Sequence, residues 1–190
     1  MNQQKRKYNN QKVYFDPVKS VAYWDGAFGT REFRVIKDLN FSVLKRCYHF
    51  DSMHEYYCYR IVSLNLPISL QLLRQVSFLV VPKSDLGSAV TYRADLVVAP
   101  VELDEKSVRY WAMQLEPIPF DFLIIEPKGV LTESARLKHL MLCASNKITM
   151  QHILFVASNY ATLNLPNEVK SSLFHLTTAL EEKLELIFGE

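Results

Sequence analysis

Two carboxylates and one lysine stand where packing alone would not put them. Asp95 interrupts the apolar stretch Tyr-Arg-Ala-Asp-Leu-Val-Val, and Glu126 and Lys128 finish Phe-Leu-Ile-Ile-Glu-Pro-Lys-Gly. A buried carboxylate is costly unless it is paired, hydrogen-bonded or bound to a cation. Glu126 and Lys128 are two apart, so on a strand they share a face. With Asp95 from a neighbouring strand, two acids and an amine would converge at a sheet edge. That set suits phosphodiester hydrolysis. Carboxylates hold Mg²⁺, the ion stabilises charge on the attacked phosphorus, and a lysine orients or helps deprotonate the attacking water.

The surrounding elements must bring these residues together. Residues 13 to 36 carry short β-like runs punctuated by Asp16-Pro17 and Asp25-Gly26. Asp51 or Ser52 caps a helix over Met53 to Leu64, with Glu55 three residues after Ser52 as in a capping box. Strands are predicted over Leu72 to Val81, Thr91 to Ala99, Val108 to Leu115 and Phe120 to Glu126, the last with the continuous apolar run of a sheet centre. Thr132 caps a helix through Cys143, His152 to Ala157 is a further strand, and Pro166 to Phe188 reads as one amphipathic helix. Its apolar face is Val169, Leu173, Leu176, Leu180, Leu184 and Ile187. The order is that of an α/β sandwich in one domain.

Asp95 followed by Glu126-Pro127-Lys128 at the end of a hydrophobic strand resembles the PD-(D/E)XK signature of restriction-endonuclease-like nucleases. The ordered series His49 to Tyr57, Arg74 to Pro82, Tyr-Arg-Ala-Asp and Ile-Glu-Pro-Lys-Gly-Val-Leu-Thr is similar to that of small phage-borne members. It is also similar to the TnsA-type endonuclease subunit of heteromeric transposases. The likeness covers roughly residues 45 to 157. It implies an αβββαβ core, a central mixed sheet flanked by helices, with an extra C-terminal helix. It implies Asp95 and Glu126 as metal ligands, Lys128 as the catalytic lysine, Glu55 as an additional metal-site acid, and Mg²⁺ (or Mn²⁺) as cofactor. Glu32 competes with Glu55 for that last place, although the spacing of Glu55 from Ser52 and Gln75 fits better. Gln75 matches a recurrent glutamine and is a candidate nucleic-acid contact, and Lys138 would touch substrate phosphate. The departure is the stretch between Asp95 and Glu126, where Val101 to Asp121 reads as an insertion.

The implied activity is that of a DNA endonuclease from a mobile element or phage, acting in transposition or DNA recombination with DNA and a transposase as partners. A non-catalytic module that keeps the fold and binds nucleic acid or protein is the alternative. The net charge of +2 argues for no polyanion by itself, but Lys5, Arg6 and Lys7 form a basic arm able to neutralise phosphates, and Lys45 with Arg46 adds a second pair. Three scattered cysteines, no apolar leader and no membrane-length apolar run fit a cytoplasmic protein. His49, His54, His139, His152 and His175 lack metal-ligand spacing and read as surface or core residues, and Tyr56, Tyr57 and Tyr59 as core.

Overall fold

The computed structural model describes residues 11–25, 33–36, 40–85, 87–128, 132–145, 148–157 and 169–189. The architecture is mixed α/β, with two mixed sheets and five α-helices among the described residues. The chain falls into two compact units, Met1–Tyr57 and Cys58–Glu190. No helix among the described residues is long and apolar enough to cross a membrane.

In the first unit, β1 (Val13–Asp16), β2 (Val21–Trp24), β3 (Phe33–Val35) and β4 (Tyr48–Phe50) form a sheet in the order β3-β2-β1-β4. A short helix, α1 (Phe41–Leu44), precedes β4. The β1–β2 turn is built by Asp16, whose Oδ1 accepts from the amides of Val18 (3.0 Å) and Lys19 (3.3 Å). Arg46 grips Oδ2 through Nε (3.1 Å) and Nη2 (2.7 Å), and these bonds hold the Asp16 carboxyl below the usual range. Arg46 is therefore tied to Asp16. Phe15, Phe33 and Phe50 pack their rings around Tyr56 at 5.5–5.8 Å, offset and edge-on geometries that aromatic pairs favour.

The second unit is built on β5 (Leu70–Val81), β6 (Val90–Pro100), β7 (Leu123–Lys128), β8 (Ile153–Ala157) and β9 (Lys170–Ser172), paired in chain order. β5, β6 and β7 run antiparallel to their neighbours, while β7, β8 and β9 are parallel. One face packs against α3 (Glu105–Ala112) and α4 (Glu133–Ala144), through Val97, Ala99, Ile124, Ile153 and Phe155 against Val108, Ala112 and Leu142. The other face, with Leu96, Val98, Leu123, Ile125, Leu154 and Val156, packs against Cys58 and Val62 of α2 (Met53–Asn65) and Leu176, Leu180 and Leu184 of α5 (Leu176–Phe188). Covered on both faces, β7 is apolar without alternation as far as Ile125.

Two predicted elements differ. The strand expected over Val108 to Leu115 is helix α3: Val108 and Ala112 are buried four apart, Asp104 Oδ1 accepts from the Ser107 amide (2.6 Å), and Arg109 pairs with Glu105 one turn earlier. A period of 3.6 was hidden there by apolar residues off the buried stripe, such as the exposed Tyr110 and Leu115. The single helix expected from Pro166 starts only at Leu176; Lys170–Ser172 is strand β9 and Leu173–His175 one tight 3-10 turn. Val169 joins the α3/α4 side of the sheet, not the α5 stripe. Pro166 lies outside the described residues.

Candidate active site

The last paired rungs between β6 and β7 are Val98↔Leu123, Val97↔Ile124 and Leu96↔Ile125. One residue further, Asp95 stands opposite Glu126. There the Asp95 amide donates to the side chain of Glu126, at Oε1 (3.2 Å), rather than to its main chain. Pro127, which has no amide hydrogen, lies past the end of this ladder, where β7 pairs only with β8. The site therefore sits in the central strands and not, as expected, at a sheet edge; it forms where β6 and β7 part.

Lys128 closes the site. Its Nζ is 2.7 Å from Asp95 Oδ2 and 2.8 Å from Glu126 Oε2, so the three predicted residues share one cluster. The contact with Oε2 is an ion pair without a well-directed hydrogen bond. Glu126 is 0 % exposed, whereas the Asp95 and Lys128 side chains keep 21% and 26% of their surface open. Burial pushes the Glu126 carboxyl up to about 7, against the pull of Lys128. For Lys128 burial acts downward, yet the two carboxylates outweigh it and the ammonium is held above its ordinary value.

Behind Glu126 stand two residues that the sequence did not single out for chemistry. The Tyr92 hydroxyl donates to Glu126 Oε1, and His139 Nε2 lies 3.0 Å from the same hydroxyl. His139 Nδ1 faces the Ala135 carbonyl oxygen at 2.7 Å, so Nδ1 carries a hydrogen. The single hydroxyl proton cannot serve both neighbours. Two arrangements satisfy every atom: an ionised Glu126 with an imidazolium, or a protonated Glu126 with a neutral ring. Burial lowers the His139 pKa and raises that of Tyr92, the latter reinforced by Glu126. His139 was expected to be a surface or core residue; it is buried and hydrogen-bonded, and only the fold brings it to residues 92 and 126.

Gln75 sits on β5 directly opposite Asp95, between the rungs Arg74↔Leu96 and Val76↔Ala94, in a left-handed conformation (φ 54°). Its Oε1 is buried without a hydrogen-bond partner. The carbonyls of Gln75 and Arg74 turn to Arg109 of α3, which donates at 2.9 and 2.8 Å. The insertion after β6 thus braces the strand that flanks Asp95.

Glu55 belongs to the first unit, at the start of α2: Ser52 Oγ accepts from its amide (3.1 Å) and its Oε2 accepts from the Asp51 amide (3.0 Å), a helix-capping arrangement. Lys138 is exposed on α4. Lys5, Arg6, Lys7 and Glu32 lie outside the described residues. Among the described residues, no group of three or more His, Cys, Asp or Glu side chains is placed to hold a metal ion. In comparisons with known proteins, no family model, no curated protein and no solved structure matches the chain.

Proposed function

We propose that the chain is a metal-dependent DNA endonuclease of the PD-(D/E)XK type. The observation that carries this reading is the convergence of Asp95 and Glu126 on the Lys128 ammonium at 2.7 and 2.8 Å, where β6 and β7 separate. With α3 set aside as the insertion between β6 and β7, the succession α2, β5, β6, β7, α4, β8, with three antiparallel strands and a parallel fourth, has the αβββαβ order that the resemblance implies and supports the same reading.

The donor set fits a hard divalent cation. Two carboxylates already face one cation, the ammonium, and Glu126 Oε2 has no directed bond to give up. Asp95 and Glu126 would hold Mg²⁺ or Mn²⁺. When bound, the ion supplies Lewis-acid stabilisation of charge at phosphorus. Lys128 orients the attacking water and balances developing charge through Nζ. Lys138, Gln75 and the arm Lys5, Arg6 and Lys7 are the DNA-contacting residues of this reading, and a transposase or another recombination protein supplies the sequence specificity.

The non-catalytic alternative has one observation in its favour: Glu126 is already engaged by Tyr92, the Asp95 amide and Lys128. Incubation with linear, nicked and branched DNA in Mg²⁺ or Mn²⁺ separates the two. The nuclease reading expects metal-dependent cleavage that Asp95→Asn abolishes. Uncut DNA on every substrate, or equal cutting by Asp95→Asn, overturns it.

A further inference from the structure

We propose that Tyr92 and His139 are positioning residues that fix the Glu126 carboxylate for its work. The inference rests on the nuclease reading, in which Glu126 holds the cation. A glutamate carboxylate turns over a broad range about its last bond unless one of its oxygens is held. With Glu126 ionised and the His139 Nε2 hydrogen given to the Tyr92 oxygen, Oε1 receives the Tyr92 hydroxyl and the Asp95 amide, which leaves Oε2 turned toward Lys128.

The tyrosine is itself held. His139 Nε2 meets its hydroxyl at 3.0 Å, and the ring is locked by the Ala135 carbonyl one turn earlier in α4, at 2.7 Å from Nδ1. A line of three hydrogen bonds thus runs from the α4 main chain to Glu126. Both rings are buried, and His139 also packs on Tyr92 (centroids 4.7 Å) and Phe155 (4.9 Å). Packing alone would be served by Phe and Leu at a lower desolvation cost. Outer partners that orient a cation-binding side chain typically change affinity or rate by about 10–100-fold when removed.

The test uses Tyr92→Phe, which keeps the ring and loses the hydroxyl, His139→Leu, and the conservative His139→Gln. In the cleavage assay the first two each lower kcat by about 10–100-fold with KM for DNA little changed. Their combination is no worse than the poorer single variant, because the two residues act in series. His139→Gln recovers part of the rate. Unchanged rates, or losses that multiply and track the melting temperature, overturn the proposal.

A second arm needs no activity: the ¹³C carboxyl resonance of Glu126 at one fixed pH. Tyr92→Phe and His139→Leu both displace it, although His139 does not touch Glu126, and His139→Gln displaces it less. A resonance unmoved by the His139 variants overturns the positioning role. A parent chain that cuts no DNA sinks the nuclease reading instead, and the resonance arm still decides whether His139 acts on Glu126 through Tyr92.

Discussion

Asp95 on β6 faces Gln75 on β5 across an unpaired rung, and at that rung both strands change face. Leu73 and Val76 are three apart yet lie in one buried cluster, as do Ala94 and Val97. In a regular strand such pairs would point to opposite faces. The left-handed Gln75 resets the pleat, and the acid of the candidate site stands at the break.

Gln75 should therefore prefer glycine to a branched residue. A non-glycine residue in this region costs roughly 1–2 kcal/mol, which glycine avoids while adding freedom to the unfolded chain. Gln75→Gly is expected within about 1 kcal/mol of the parent in urea denaturation, and Gln75→Val below it by a further 1–2 kcal/mol or so. Equal stability of the two variants would contradict the left-handed backbone.

Arg109 holds the carbonyls that this break releases. Arg109→Met keeps the aliphatic stem and removes both donors, so about 1–3 kcal/mol of stability is expected to go, toward the lower end because the side chain is partly exposed. Amide hydrogen exchange should accelerate in β5 around residues 74–76, and exchange unchanged there would argue against the brace.

Glu126 makes stability depend on pH in a definite sense. Its folded pKa, about 7, exceeds the ordinary 4.5, so the folded chain binds this proton more tightly than the unfolded one. The contribution is complete below about 4.5 and is lost as pH rises toward 7, a swing on the order of 3 kcal/mol. Lys128, held above its ordinary value, stays protonated throughout and adds no slope. Denaturation from pH 5 to 8 should show the parent losing more stability than Glu126→Gln, in which the lowered pKa of His139 works in the opposite sense. Parallel pH profiles of the two chains would contradict the buried acid.

Much of this arrangement could be read along the chain, and the reason is local. β5, β6 and β8 announce themselves by apolar runs of strand length, and Thr132 does cap α4, its Oγ1 accepting from the Ala135 amide. The two-residue spacing of Glu126 and Lys128 fixed their shared face as soon as β7 was assigned. What stayed hidden depends on distant pairing: the register that sets Asp95 against Glu126, the fold that brings His139 to Tyr92, and the left-handed turn at Gln75. α3 and β9 were missed for the opposite reason. In α3 scattered apolar residues imitate a strand, and in β9 three strand residues precede a leucine stripe whose period extends back over them.

Breaking the cluster should depend on which partner is removed. Lys128→Met leaves the buried Glu126 without its cation and should destabilise the chain at pH 8 by a few kcal/mol, whereas Asp95→Asn, at a partly open side chain, should cost about 1 kcal/mol or less. Glu126→Gln added to Lys128→Met should recover much of the loss. If the double variant melts no higher than Lys128→Met, the two charges are not coupled.

Calorimetric titration of the chain with Mn²⁺ tests the central claim most directly, beside the same titration of Asp95→Asn. One ion bound by the parent and weakened at least about tenfold in the variant is the predicted result. No binding, or binding indifferent to Asp95, would contradict a cation held by the acids of β6 and β7.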